Sequence, residues 1–319
     1  MDNSRKRSLT LHIGVLAFLF LLPFVLPDYH QLTITRIMIL AIFALGYNVL
    51  FGYAGLLSLG HAMFFACGLY AAGLPIYHLG WAVPSAFLFA IAVSALAAAL
   101  IGAIALRTQG VAFMIVTLMF SQVVYLTTLY FSDTTGGDEG LVLPGHARSF
   151  EILGMQVDLT SPQVRYYIAL GLLSASALIV YRWVNGGLGR EWVAVRENES
   201  RTRMLGYNTF LIKLKAMVIS GTLSGSAGAA YGLLFAYIGS TFATIQYSID
   251  VLLFTLLGGV GTVLGPILGS FIMFYLIDFF SEHTTAYLLA TGVALILLIM
   301  YFPLGVLGTL RKKWLPWLP

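Results

Sequence analysis

Few residues in this chain have the type and setting that chemistry requires. His61 is the one histidine deep inside an apolar stretch, with Ser58 close by. An ionisable group in such a place is a functional candidate by default. Two roles are open to it: a neutral ring bonded to a neighbouring helix, or direct contact with a solute. Asp250 and Asp278 interrupt other apolar stretches and are expected near helix ends, Asp250 as a cap at an interface. The single cysteine, Cys67, excludes a disulfide framework or a cysteine metal cluster and reads as a small packing residue. The sequence has no His-Glu-x-x-His, no Gly-x-Ser-x-Gly, and no glycine-rich loop ending in Gly-Lys-Ser/Thr that could cradle a nucleotide phosphate. No catalytic, cofactor-binding or metal residue is expected, and the chain does not read as an enzyme.

Charge concentrates in two polar segments. The first, 186-GGLGREWVAVRENESRTRMLGYN-208 within the loop 185–211, has good helix formers over Glu191–Met204 and apolar residues at Trp192, Val195, Met204 and Leu205. One reading is a solvated connector whose arginines lie at lipid headgroups. The other is a docking helix that inserts into a cleft on a soluble partner. The second segment, 132–164, is acidic through Asp133, Asp138, Glu139, Glu151 and Asp158. That serves solubility, or a rim that steers basic residues of a partner.

The elements that carry these segments follow from composition. The chain is 59% hydrophobic and only 9% charged, with a mean hydropathy of +0.91. A soluble domain is about 25% charged. Between Ile37 and Leu106 there is no Asp, Glu, Lys or Arg. A bilayer core of about 30 Å takes roughly 20 apolar helical residues, and backbone in lipid must satisfy itself internally, so long apolar runs mean helices. The expected class is an all-α polytopic membrane protein of about ten spans forming a single transmembrane domain over 1–319, partnered by the lipid bilayer. The spans are 11–27, 32–51, 55–77, 82–106, 110–131, 165–184, 211–237, 248–260, 262–281 and 285–304. The N-terminal Arg5-Lys6-Arg7 and apolar 11–26 have the outline of a signal peptide, but Pro27-Asp28-Tyr29 replaces a small-residue cleavage site, so a retained first span is expected.

Orientation follows from basic residues. With both ends in the cytoplasm and ten crossings, only Arg36, Arg148 and Arg165 of the 17 Lys and Arg fall outside. The short 248–260 segment has to cross for this to hold. The net charge of +4 is then explained by inside loops, without a nucleic acid partner.

Two spans are unusual. The stretch 52–73 carries Gly52, Gly55, Gly60, Gly68 and Gly73, and 258-GGVGTVLGPILG-269 contains Gly258, Gly259, Gly261, Gly265 and Pro266. A glycine costs a helix about 1 kcal/mol relative to alanine, so each cluster needs a reason. Small residues permit close helix approach; broken helices can also line a polar pathway near the midplane. On the second reading the pathway residues are Gly55, Ser58, Gly60, His61, Gly258, Gly259, Gly261 and Gly265.

In order along the chain stand the segments 55-GLLSLGHAMFFACGLYAA-72, 134-TTGGDEGLVLP-144, AVREN followed by LGYN with 219-ISGTLSGSAGAAYG-232, and 256-LLGGVGTVLGPILGS-270. Together these four landmarks resemble the LivM-type permease family of ABC importers for branched-chain amino acids, over most of the chain. The resemblance implies a type II importer-like bundle that forms half of a pore. It also implies a second homologous permease subunit, two ATP-binding subunits and a periplasmic solute-binding protein. ATP and its chemistry would belong to the partners. It places ATPase coupling at Arg190, Glu191, Ala194, Arg196, Glu197, Asn198 and Gly206, and receptor docking at Asp133, Gly136, Gly137, Asp138 and Glu139. Permeases for urea, amides or other small solutes share the pattern, although the Ser-Leu-Gly-His form argues against the urea branch. A self-sufficient secondary transporter or channel is the competing class.

Overall fold

A computed structural model describes residues 14–15, 19–24, 26–152 and 155–313, so 11–13, 16–18 and 25 of the expected first span, 11–27, lie outside the described residues. The chain forms α1 (Asp28–Asn48), continued by a π-helical turn Val49–Tyr53, then α2 (Ala62–Leu79), α3 (Val83–Ala105) and α4 (Val111–Tyr130). After the loop 131–161 come α5 (Pro162–Val184), the short α6 (Gly187–Glu197) and α7 (Glu199–Met204), and α8 (Thr209–Phe235). The last third holds α9 (Ile245–Gly258), α10 (Gly265–His283), α11 (Tyr287–Tyr301) and α12 (Gly305–Lys313). Among the described residues, 8 helical segments are long and apolar enough to cross a membrane. This is an all-α multi-pass membrane protein.

Burial sorts the helices. In its most apolar window α1 is 89% buried, whereas α3 and α4 are each 22% buried; α1, α2 and α8 form the centre and the others wrap it. Lipid offers no hydrophobic drive for helices to associate, so close packing of small residues has to hold them. On α3, Ala86, Ala90, Ser94, Ala98 and Gly102 are buried at every fourth position, while Leu88, Leu96, Leu100 and Ile104 are exposed. That stripe runs antiparallel along α8, with Ser94 against Gly225 and Ala98 against Gly221. On its other side Gly225 meets Gly68 of α2 so closely that a Cβ at Gly68 would overlap the Gly225 carbonyl.

Two expected spans are corrected. The stretch 55–77 is not one helix: the backbone is unwound from Gly55 to His61, and α2 starts only at Ala62. The expected crossing 248–260 is a half-helix. The 14 residues of α9 rise about 21 Å at 1.5 Å each, short of a bilayer core. Non-helical chain makes up the difference. After α8 the left-handed Ala236 (φ 59) turns the chain into β4 (Tyr237–Ile238), which pairs with β1 (Leu141–Val142). The turn Ser240–Ala243 then dips into the bundle, where Ser121, midway along α4, donates to the Ala243 carbonyl at 3.2 Å. Asp250 is therefore no interfacial cap. It lies within α9, hydrogen-bonded by Gln246 Nε2 at 3.2 Å, and Thr244 occupies the cap position.

The loop 131–161 is pinned by one side chain. Arg148, just before the hairpin of β2 (Ser149–Ile152) and β3 (Met155–Asp158), is buried. It donates to Leu233 O (3.2 Å), Leu234 O (2.6 Å) and Leu159 O (2.8 Å). Two of these are carbonyls in the last turn of α8, which have no intrahelical partner and favour a cation. Arg148→Met should lower unfolding free energy in detergent by about 2–3 kcal/mol, since charged hydrogen bonds are lost and the carbonyls stay buried. Arg148→Lys should recover only part, because a single ammonium cannot reproduce the planar fork.

Candidate functional site

The charged loop folds as two helices rather than the single helix expected over Glu191–Met204. Leu188, Trp192 and Val195 fall on one face of α6; Trp192 is fully buried and Val195 nearly so. Asn198 adopts an extended conformation (φ −160, ψ 98) that ends α6, and its Oδ1 accepts from Arg201 N at 2.8 Å to cap α7. Thr202 Oγ1 donates to Ala194 O at 2.9 Å and folds α7 back on α6. Glu199 ties the pair to α8 through Lys213 (2.7 Å) and receives Arg203 at 3.4 Å. Burial pushes the Glu199 carboxyl upward, but the hydrogen bond and charge of Lys213 outweigh it and hold the group below its ordinary value. Its folded value being lowered, the stabilisation is complete above the ordinary carboxylate range and is lost as pH falls below it.

The face turned away from the bundle is open. Arg190, Ala194, Arg196, Glu197, Asn198 and Gly206 are exposed and Glu191 is half-buried. Gly206 (φ 86) turns the chain between Leu205 and Tyr207, which are 72% and 52% exposed, next to Met204 at 81%. Large apolar side chains in that number on a folded hairpin mark an interaction surface.

Arg196 joins this hairpin to the membrane helices. Its Nη1 donates to Gly52 O, in the π-helical end of α1, at 2.5 Å, and its Nη2 meets Glu197 at 3.0 Å. Its aliphatic stem crosses Gly55 (φ 73), where a Cβ would stand 2.6 Å from Cγ. One turn earlier, Asn48 Oδ1 accepts from Gly261 N and Nδ2 donates to Thr262 O, both at 2.9 Å. Gly52 has to be glycine here, because a Cβ would overlap the Asn48 amide. The hairpin, the unwound stretch after α1 and the turn between α9 and α10 thus meet at one end of the bundle, as the alternation of crossings requires. Gly305 at the start of α12 closes against Gly259 at the same end.

The expected pathway residues divide into a break and a packing seam. The unwound backbone is satisfied by side chains from other helices: Tyr47 Oη to Ser58 O (3.0 Å), Leu59 N to Thr117 Oγ1 (3.3 Å) and Ala62 N to Ser248 Oγ (2.9 Å). Ser58, Gly60 and His61 are buried; Gly55 is exposed beneath Arg196. Ser220 gives its one proton to Gly46 O (2.5 Å), so the 3.0 Å contact with His61 Nε2 makes that nitrogen the donor. The ring lies among Phe43, Tyr47 and Phe64. Gly259 and Gly261 (φ 129 and 72) form the turn after α9, whereas Gly258 and Gly265 bring α9 and α10 into backbone contact.

At the other end, Asp133, Asp138 and Glu139 are exposed around the turn at Gly136 and Gly137 (φ 77 and 56). Ser240 Oγ reaches Asp138 and Tyr237 Oη reaches Glu139 O, each at 3.4 Å. Asn48, Lys213 and Ser220 were not among the expected site residues. Asn48 carried a signal, as the one asparagine in the charge-free run 37–106.

A small-residue helical bundle with two interrupted spans and a folded hairpin at one end defines a multi-pass membrane protein. Residues 31–304 match the profile of the branched-chain amino acid transport system permease component, and the chain belongs to that family. It is 28% identical, over 98% of its own length and 78% of theirs, to the high-affinity branched-chain amino acid transport system permease proteins LivM of Salmonella typhimurium and Escherichia coli. A probable LivM of Methanocaldococcus jannaschii is 26% identical over 60% of this chain and 59% of that one. No solved structure matches.

Asn48→Ala should destabilise the helix-end cluster by about 1–3 kcal/mol, because a buried donor and acceptor lose their partner. Limited proteolysis should then cut first in the turn 259–264, and unchanged protection there would refute the bridging role.

Proposed function

We propose that this chain is the inner-membrane permease subunit of an ABC importer for branched-chain amino acids, forming half of the translocation pathway. The observation that carries the reading is the α6–α7 hairpin, which is anchored to α1 and α8 from within yet presents exposed Arg190, Ala194, Met204 and Leu205 outward. A solvated connector has no need of a buried Trp192 or of so large an exposed apolar surface. A docking element for a soluble motor needs both. The chain carries no nucleotide-binding loop of its own, so ATP hydrolysis belongs to two separate ATP-binding subunits.

On this reading the hairpin end and both termini face the cytoplasm, and the acidic turn at Asp133, Gly136, Gly137, Asp138 and Glu139 faces a periplasmic solute-binding protein. A second homologous permease subunit completes the pore. Closure of the ATPases pushes on α6, and Arg196 passes the movement to the unwound segment at Gly55, Ser58, Gly60 and His61. The turn at Gly258, Gly259, Gly261 and Gly265 moves with it through Asn48. The chain itself uses no cofactor.

Reconstitution tests the class. Leucine uptake into proteoliposomes should require the ATPases, ATP and the binding protein; gradient-driven uptake by this chain alone would overturn the reading. The double substitution Arg196→Ala with Glu197→Ala should cut ATP-coupled uptake at least tenfold while the chain still inserts into the membrane. Leu205→Glu should weaken co-purification of the ATPases, and full retention of the complex would remove the hairpin from the docking surface.

A further inference from the structure

Two cavities meet at the β2–β3 hairpin, one apolar and one polar. The first, of about 330 Å³, is lined by Phe87 of α3, Ile168 and Leu172 of α5, Ala230 of α8, and Phe150 and Val157 of the hairpin. Among the described residues no polar atom faces it. Its wall at the end of α8 is kept apolar by two arginines that take the carbonyls there. Arg148 holds those of Leu159, Leu233 and Leu234, and Arg165 also reaches Leu234 O at 3.4 Å. A space without polar partners holds no water, and left empty it costs its walls their dispersion contacts. The walls themselves are lipid-facing helices, for the most apolar windows of α3 and α5 are 22% and 33% buried. Leu172 stands about 15 Å along α5 from Pro162 at 1.5 Å per residue, against a bilayer core of about 30 Å. The cavity thus reaches through the depth of one leaflet.

The second cavity, of about 680 Å³, shares Pro84 and Phe150 with the first and is lined by Tyr77, Trp81, Ser85, Ser149 and Glu151. Side chains alternate across a strand, so Ser149 and Glu151 leave β2 on the face opposite Phe150. Tyr77 and Trp81 are exposed where α2 ends and α3 begins, the level at which such rings meet lipid headgroups. Ser85 Oγ donates to Ala82 O at 2.7 Å and Ser149 Oγ to Asp158 at 3.3 Å. Their protons are spent, so with Glu151 they present acceptors. Among the described residues Glu151 is exposed and forms no ion pair.

We propose that the joined cavities seat one phosphatidylethanolamine molecule of the surrounding bilayer, with an acyl chain in the apolar cavity and the ammonium against Glu151. An acyl chain brings no polar atom into a wall that cannot satisfy one. The primary ammonium donates to the acceptors above it, whereas a choline headgroup has no N–H to give and a phosphatidylglycerol headgroup brings net negative charge to a carboxylate. A free amino acid would leave both of its charges unpaired in the lower cavity. The site requires only that the chain spans a bilayer and is independent of the importer reading.

The test equilibrates the full-length chain in vesicles of equal parts phosphatidylethanolamine, phosphatidylglycerol and phosphatidylcholine, extracts it in mild detergent, and counts the phospholipid that stays bound by mass spectrometry. The native chain should retain phosphatidylethanolamine in preference to the other two. Leu172→Trp fills the apolar cavity and should cut the retained lipid at least fivefold. Glu151→Lys lies on an exposed strand and leaves the packing intact, so it keeps the test decisive if Leu172→Trp does not fold. It should still hold a phospholipid, but with the ratio of phosphatidylethanolamine to phosphatidylglycerol shifted at least fivefold toward the latter. Retention without headgroup preference in the native chain, an unchanged ratio in Glu151→Lys, or native retention by a folded Leu172→Trp overturns the proposal. So does a native chain that holds no phospholipid, for then another protein segment covers the gap between α3 and α5.

Discussion

A helix that ends inside a membrane bundle leaves carbonyls that water cannot reach, and the break after α1 exists only because other parts of the chain supply their partners. Gly52 O takes the guanidinium of Arg196, a residue 144 positions later in the chain. Asn48, one turn back, takes the donor and acceptor of the turn at Gly261 and Thr262. Tyr47, Thr117 and Ser248 cover the rest of the unwound stretch. Backbone satisfaction in lipid is thus the constraint that makes this end one mechanical unit. The hairpin cannot move away from the bundle without exposing Gly52 O, and α9 cannot shift against α1 without breaking the two hydrogen bonds of the Asn48 side chain.

Much of this was legible in the sequence, and the limits have physical causes. Charge-free runs report the membrane because lipid excludes charge, and the long apolar helices agree with them. Glycine is the ambiguous letter. Gly68 is there so that α2 can touch α8, and Gly261 so that a turn can reach φ 72, yet hydropathy treats them alike. The half-helix α9 was readable only as an apolar run of the wrong length, since the dip at Ser240–Ala243 depends on Ser121 in a distant helix. Trp192 and Val195 announced a buried face, but the break at Asn198 turned on a local choice between continuing one helix and capping the next. His61 was visible as an oddity, whereas Ser220, which fixes its tautomer, was one serine among many on a small-residue helix.

The three arginines assigned to the outer side show how the same residue type serves different ends. Arg148 is surrounded by carbonyls of α8 and of the hairpin, and every contact it makes is to this chain. Arg165 divides its guanidinium between Leu234 O and Thr160 O, again closing the end of α8. Among the described residues, Arg36 rests on the ring faces of Phe235 and Phe274. On the helix that is otherwise the most buried of the bundle, an exposed guanidinium is held by ring faces rather than by carbonyls. A cation–π seat of this kind ties α1 to the last residue of α8 and to α10.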